Sequence, residues 1–105
     1  MEMEKITAEW TAGFFCGEGY FYKQRNGKYL QYSVGICMHI RDIGILNDIC
    51  SAYGGKVRIR HDKISCDWRM SKRELLIHFA EAIKPYLRGY KLSQFNKWYD
   101  ELIIK

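Results

Sequence analysis

The chain has a single proline, Pro85, in 105 residues and no low-complexity stretch. That argues against a proline-rich or repetitive linker and leaves one domain, residues 1–105, with one modest core as the expectation. None of the four cysteines (Cys16, Cys37, Cys50, Cys66) forms a C-x-x-C pair. They lie in apolar or strand-like surroundings and read as reduced thiols, which sets aside a disulfide scaffold and places the expected location in the cytoplasm. Cys37 and His39 sit two apart on one strand face, but two ligands without a second pair make a poor zinc site. There is no signal peptide and no apolar run of membrane length, so no membrane partner is expected. A phosphate-cradling glycine loop and a nucleophile elbow are both missing. Acids are outnumbered, 12 against 17 bases, for a net charge of +5. That favours a polyanionic partner without specifying one.

What is present is well ordered. Thr7 suits the cap of a first helix running to about Gly17, with Trp10 and Phe14 as its core-facing side. Segments 20–25 and 28–40 alternate across Asn26-Gly27, a strong hairpin signal. Residues 42–53 carry Ile43, Leu46, Ile49, Cys50 and Tyr53 at helical spacing and stop at Gly54-Gly55. A second hairpin spans about 56–61 and 64–70, turning near Asp62-Lys63. Ser71 to Glu74 reads as a capping box for a helix with Leu75, Leu76, Phe79 and Ile83 inward, halted near Pro85. A last helix covers about 91–104 with Phe95, Trp98 and Leu102 as its stripe. The fold class is α+β, in the order αββαββα plus a terminal helix. Helix-then-hairpin occurs twice, giving a four-stranded antiparallel sheet with helices on one face.

The turn sets a register in which Arg25 pairs Lys28 and Gln24 pairs Tyr29. Side chains alternate, so Leu30, Tyr32, Val34, Ile36, Met38 and Ile40 face the core. The other face carries Tyr20, Tyr22, Gln24, Tyr29, Gln31, Ser33, Gly35, Cys37 and His39. In the second hairpin Val57, Ile59, Cys66, Trp68 and Met70 point inward, and Lys56, Arg58, Arg60, Ser65, Asp67 and Arg69 outward. Such a face is either a passive solvated surface or a reader of the major groove, where Arg matches guanine and Gln matches adenine. One acid among four bases and two glutamines favours reading.

Residues 11–19, Thr-Ala-Gly-Phe-Phe-Cys-Gly-Glu-Gly, end the first helix on a carboxylate. Gly13 and Gly17 lie four apart on one helix face and permit a close helix partner. Glu18 stands at the negative end of the helix dipole, a poor place for an anion unless a cation joins it. From spacing alone, a small-residue packing helix with a surface glutamate fits equally well.

This stretch resembles the LAGLIDADG motif of homing endonucleases. Gly13, Gly17, Glu18 and Gly19 occupy the family's small and acidic positions, and Cys16 replaces its first acid. One copy implies a homodimer with Gly13, Cys16 and Gly17 at the interface. The resemblance implies a site-specific, metal-dependent endonuclease acting on duplex DNA at a roughly palindromic site. Glu18 and the carbonyl of Gly17 would hold Mg2+, with Mn2+ as a substitute. Lys91-Leu-Ser-Gln94 matches a Lys-x-x-Gln pattern near the start of the family's final helix, which places Lys91 and Gln94 at the active site. At the strand-end glutamine position stands Met38 or His39, and His39 would orient a water. The DNA-reading set would be Tyr20, Tyr22, Gln24, Tyr29, Gln31, Ser33, Lys56, Arg58, Arg60, Asp67 and Arg69. The alternative on the same scaffold is a non-cleaving regulator or an RNA-splicing maturase.

Overall fold

A computed structural model describes residues 6–104 of the chain. The elements run α1 (Ala8–Glu18), β1 (Gly19–Asn26), β2 (Tyr29–His39), a 3-10 turn (Ile40–Asp42), α2 (Ile43–Tyr53), β3 (Lys56–Ile59), β4 (Ser65–Met70), α3 (Arg73–Ile83), a second 3-10 turn (Lys84–Tyr86) and α4 (Gly89–Ile104). The four strands form one antiparallel sheet in the order β1-β2-β4-β3. The α+β class and the twice-used helix-hairpin unit are as the sequence predicts.

Thr7 caps α1, its Oγ1 accepting the Trp10 N–H at 3.0 Å. The buried side of α1 is Thr11, Ala12 and Phe15, not the expected Trp10 and Phe14. Trp10 is 46% exposed and stacks on the half-buried Phe14 with centroids 5.1 Å apart. Apolar residues lie all around this helix, so periodicity alone does not select the face that meets the sheet.

The β1–β2 turn is Gly27-Lys28 rather than Asn26-Gly27. Asn26 pairs Tyr29 and Gln24 pairs Gln31. Positive φ occurs at Gly27 (63°) and not at Lys28, which suits a two-residue turn with glycine first. The slip moves each partner by two residues, so every side chain keeps its expected face. At the other turn Lys63 takes the left-handed conformation (φ 63°), and the Asp62 carboxylate accepts the N–H groups of Ile64 and Ser65, both at 3.0 Å. Those two bonds hold the Asp62 carboxyl below the usual range.

Trp68, Phe79, Phe15, Phe21, Phe95 and Trp98 form a connected aromatic core, with centroids 5.0–5.7 Å apart along the series of pairs. Burial of each such ring contributes roughly 1.5–3 kcal/mol. Gly54 and Gly55, at φ 97° and 96°, end α2, and the Gly54 carbonyl accepts the Trp68 indole N–H at 2.8 Å. Three further expectations need correction. Ile59 is 53% exposed because β3 is the sheet edge. The capping box does not form: α3 begins at Arg73 behind Lys72, with no side-chain cap. His39 closes β2 and accepts the Arg41 N–H on Nδ1 at 3.0 Å, capping the 3-10 turn that also takes in Ile40.

Candidate active site and nucleic-acid interface

Two surfaces meet at the C-terminal tip of α1. The first is the tip itself. Glu18 is the last helical residue and is exposed. Among the described residues no hydrogen bond or salt bridge engages its carboxylate. Gly17 is exposed, and nothing lies within 4 Å of where its Cβ would be. Gly19 follows in extended conformation, and a Cβ there would overlap the Phe15 ring.

Lys91, on the first turns of α4, reaches this tip across 72 residues of sequence. Its Nζ donates to the Gly19 carbonyl at 2.7 Å and lies 5.9 Å from the Phe21 ring centroid. One of its three N–H donors is thereby used, and two remain. The fold thus brings the predicted basic residue onto the residue that follows the predicted acidic one. Gln94 lies one turn further along α4 and is exposed. His39 is exposed at the same end of the sheet, where the register sets Gly19 opposite Ile36. With Nδ1 accepting from Arg41, a neutral His39 carries its proton on Nε2 and can donate it to a water.

Glu18 and the Gly17 carbonyl offer hard oxygen donors of the kind magnesium prefers. Among the described residues no cluster of three or more His, Cys, Asp or Glu occurs. The donor chemistry of Glu18 and the Gly17 carbonyl fits a divalent cation that takes further ligands from elsewhere.

The open side of α1 carries Trp10, Gly13, Phe14 and Gly17. A Cβ on Gly13 would also meet nothing within 4 Å. Cys16 is half-buried and leans toward the core cluster, at the flank of this side rather than its centre.

The second surface is the sheet face away from the helices. Tyr22, Gln24, Tyr29, Gln31, Lys56, Arg58, Arg60 and Arg69 are exposed on it, and Tyr20 is partly so. Two members of the predicted set are not accessible. Ser33 is 4% exposed and lies opposite Tyr22, while the Tyr20 phenol covers Gly35 so closely that a Cβ there would overlap it. Asp67 is 3% exposed, and its carboxylate binds the Arg58 guanidinium at 3.2 Å.

Other pairings on this face were not foreseen. Arg69 stands 5.6 Å from the Tyr22 ring centroid, a cation–π contact. The Asn26 amide donates to Gln31 Oε1 at 3.0 Å, and Arg60 donates to Cys37 Sγ at 3.4 Å. Asn26 belongs to the face because it lies two residues beyond Gln24. Its reading as a turn residue concealed that. A groove of about 620 Å³, lined in part by Lys56, Arg58, Arg69 and Lys72, continues the basic surface along the β3 edge.

Among the described residues no helix is long and apolar enough to cross a membrane. The chain is similar to the homing endonuclease I-TnaI, with 31% identity and a TM-score of 0.85 over 96% of this chain and 74% of that one. The LAGLIDADG homing endonuclease I-LtrWI, solved on its target DNA, shares the fold at a TM-score of 0.82 and 22% identity, covering 99% of this chain and 38% of that one. The intron-encoded RNA maturase bI4 of Saccharomyces cerevisiae is 33% identical over 90 residues, 85% of this chain. This chain spans only 14% of that relative's length. The family model for LAGLIDADG endonuclease matches residues 11–102. The resemblance read from residues 11–19 therefore extends over the whole fold, and the chain belongs to the LAGLIDADG endonuclease family.

Proposed function

We propose that this chain is a sequence-specific endonuclease that acts on duplex DNA as a homodimer. The observation that carries the reading is the contact of Lys91 with the Gly19 carbonyl, beside a Glu18 that no other described residue engages. An acid at an unfavourable helix end has little to offer the fold itself, and the lysine that bonds the carbonyl beside it keeps two N–H donors free. Both suit a phosphodiester. Glu18 and the Gly17 carbonyl would hold Mg2+ or Mn2+, which when bound supplies positive charge to polarise the scissile phosphate and its attacking water. Lys91 directs its remaining N–H donors at developing negative charge on the phosphate. His39 orients a water through Nε2–H, and Gln94 donates or accepts alongside Lys91. Two copies joined through the open face of α1, with Gly13 and Gly17 in contact, bring two Glu18 side chains to one dyad. The sheet face of each copy then reads one half of a roughly palindromic site.

A second reading is favoured by the likeness to the bI4 maturase and by Cys16 at a family acid position. It makes the chain a non-cleaving nucleic-acid binder on the same scaffold, in RNA splicing or regulation. Selection of binding sites from random duplexes, then incubation of the selected site with magnesium, separates the two. Cleavage of both strands, slowed in Lys91→Ala with little loss of binding, is the expected outcome. An uncut site that is tightly bound would support the second reading.

A further inference from the structure

The outward sheet face divides sharply by chemistry. β4 pairs with β2 only over Val34 to His39, so the five pairs from Tyr22↔Ser33 to Asn26↔Tyr29 form a two-stranded ribbon beyond the four-stranded part. At ~3.4 Å per residue the overhang is about 15 Å long, or four to five base pairs of duplex. Its outward side chains are neutral amides and phenols. Lys23 and Arg25 alternate to the opposite side, where Lys23 pairs Glu101 of α4 at 2.9 Å. The outward cations all stand on the β3–β4 hairpin: Lys56 and Arg69 pair within the four-stranded part, and Arg58 and Arg60 lie just past its end, beyond the start of β1. That part adjoins the α1 tip, since Gly19 begins β1 opposite Ile36, and Ile36 lies opposite Trp68.

The side chains at the two ends are also held in place. Arg58 is anchored by the buried carboxylate of Asp67, which takes one Nη and leaves the rest of the guanidinium fork free. Gln31 accepts from Asn26 on Oε1, which leaves its NH2 free and a lone pair on the oxygen. An oriented guanidinium matches O6 and N7 of guanine, and an oriented amide matches N7 and N6 of adenine.

We propose that each half of the DNA site is polarised: guanines, read by Arg58 and Arg60, lie near the dyad, and adenines, read by Gln24 and Gln31, lie at the outer end. Asp67 is the positioning residue for Arg58. The inference rests on the DNA-binding reading above and adds the chemistry of its target.

The experiment is selection of randomised duplexes by the full chain in calcium or without metal, followed by sequencing. The expected result is a motif with G·C pairs inside and A·T pairs outside. Arg58→Ala should lower guanine preference at one inner position by about tenfold or more and leave the outer positions unchanged. Gln31→Ala should do the reverse. Asp67→Asn should weaken the inner preference while leaving the outer preference and the salt dependence as in wild type, which a loss of fold would not do. A motif of even composition, or one with guanines outside, overturns the polarity while DNA reading stands. So does uniform weakening of all sites by Arg58→Ala with a flatter salt dependence, the mark of a phosphate contact. Enrichment of no duplex at all overturns the DNA-binding reading together with the polarity.

Discussion

The same helix-then-hairpin unit occurs twice in this molecule, and its two copies end their helices in opposite ways. In the second copy, α2 stops at Gly54-Gly55, and the Trp68 indole reaches from β4 to bond the Gly54 carbonyl. That end is sealed against the core by an apolar ring. In the first copy, α1 stops on Glu18, and the carbonyl that follows is bonded by a lysine from α4 instead. That end stays open and carries charge of both signs. Stability alone would suit two sealed ends. The open one carries the proposed active site, and its polar construction marks the unit that departs from the purely structural solution.

Substitutions at the open end should have the largest effect. Glu18→Gln keeps the shape and removes the anion that a divalent cation needs. Cleavage should fall below detection in a nicking assay with magnesium. Metal-free DNA binding should be kept or slightly strengthened, because repulsion between the two carboxylates and the phosphates is relieved. Normal cutting by Glu18→Gln would remove the contrast between the two helix ends.

The exposed glycines of the two helices give the next test. Gly13 on α1 and Gly44 on α2 are both exposed, and a Cβ on either would meet nothing within 4 Å. Gly13→Leu should dissociate the dimer in sedimentation velocity, because it places a bulky side chain where a second helix must approach. Gly44→Leu should leave the oligomeric state unchanged. Equal behaviour of the two variants would mean that α1 is not the interface.

A smaller effect should separate two glycines within α1 and its cap. Gly19→Ala forces a Cβ into the Phe15 ring and should destabilise the fold by roughly 1–3 kcal/mol in urea denaturation. Gly13→Ala has open space and should stabilise the isolated chain by up to ~1 kcal/mol through helix propensity.

The smallest effect concerns the two hairpin turns. Asp62 has a depressed carboxyl pKa, held down by the N–H groups of Ile64 and Ser65. Its contribution is complete above the ordinary aspartate value and is lost as pH falls through the folded one. Asp62→Ala should therefore flatten the acid limb of stability, measured as the urea midpoint between pH 5 and 2. A substitution at Gln24 in the other hairpin should leave that limb unaltered.

Much of this fold was legible in the residues alone. The four strands, the glycines that close α2, the buried stripe of α4 and the acidic tip of α1 all follow from local spacing and from backbone preferences that neighbours in sequence impose. The parity of the sheet survived even a misplaced turn, because a slip of two residues leaves every side chain on its own face. Three matters were decided only in three dimensions. Which side of α1 is buried depended on the shape of the sheet beneath it, since apolar residues surround that helix and the choice of Phe15 over Trp10 is one of packing. Which outward residues remain accessible depended on their neighbours across the strands: Tyr20 covers Gly35, Ser33 is buried opposite Tyr22, and Asp67 lies buried beneath the exposed Arg58 that it binds. The meeting of Lys91 with the α1 tip required the chain to close a loop of 72 residues. Periodicity reports which side chains share a face of one element. Contact between elements is set by how the faces fit together, and that fit is a property of the whole packed core.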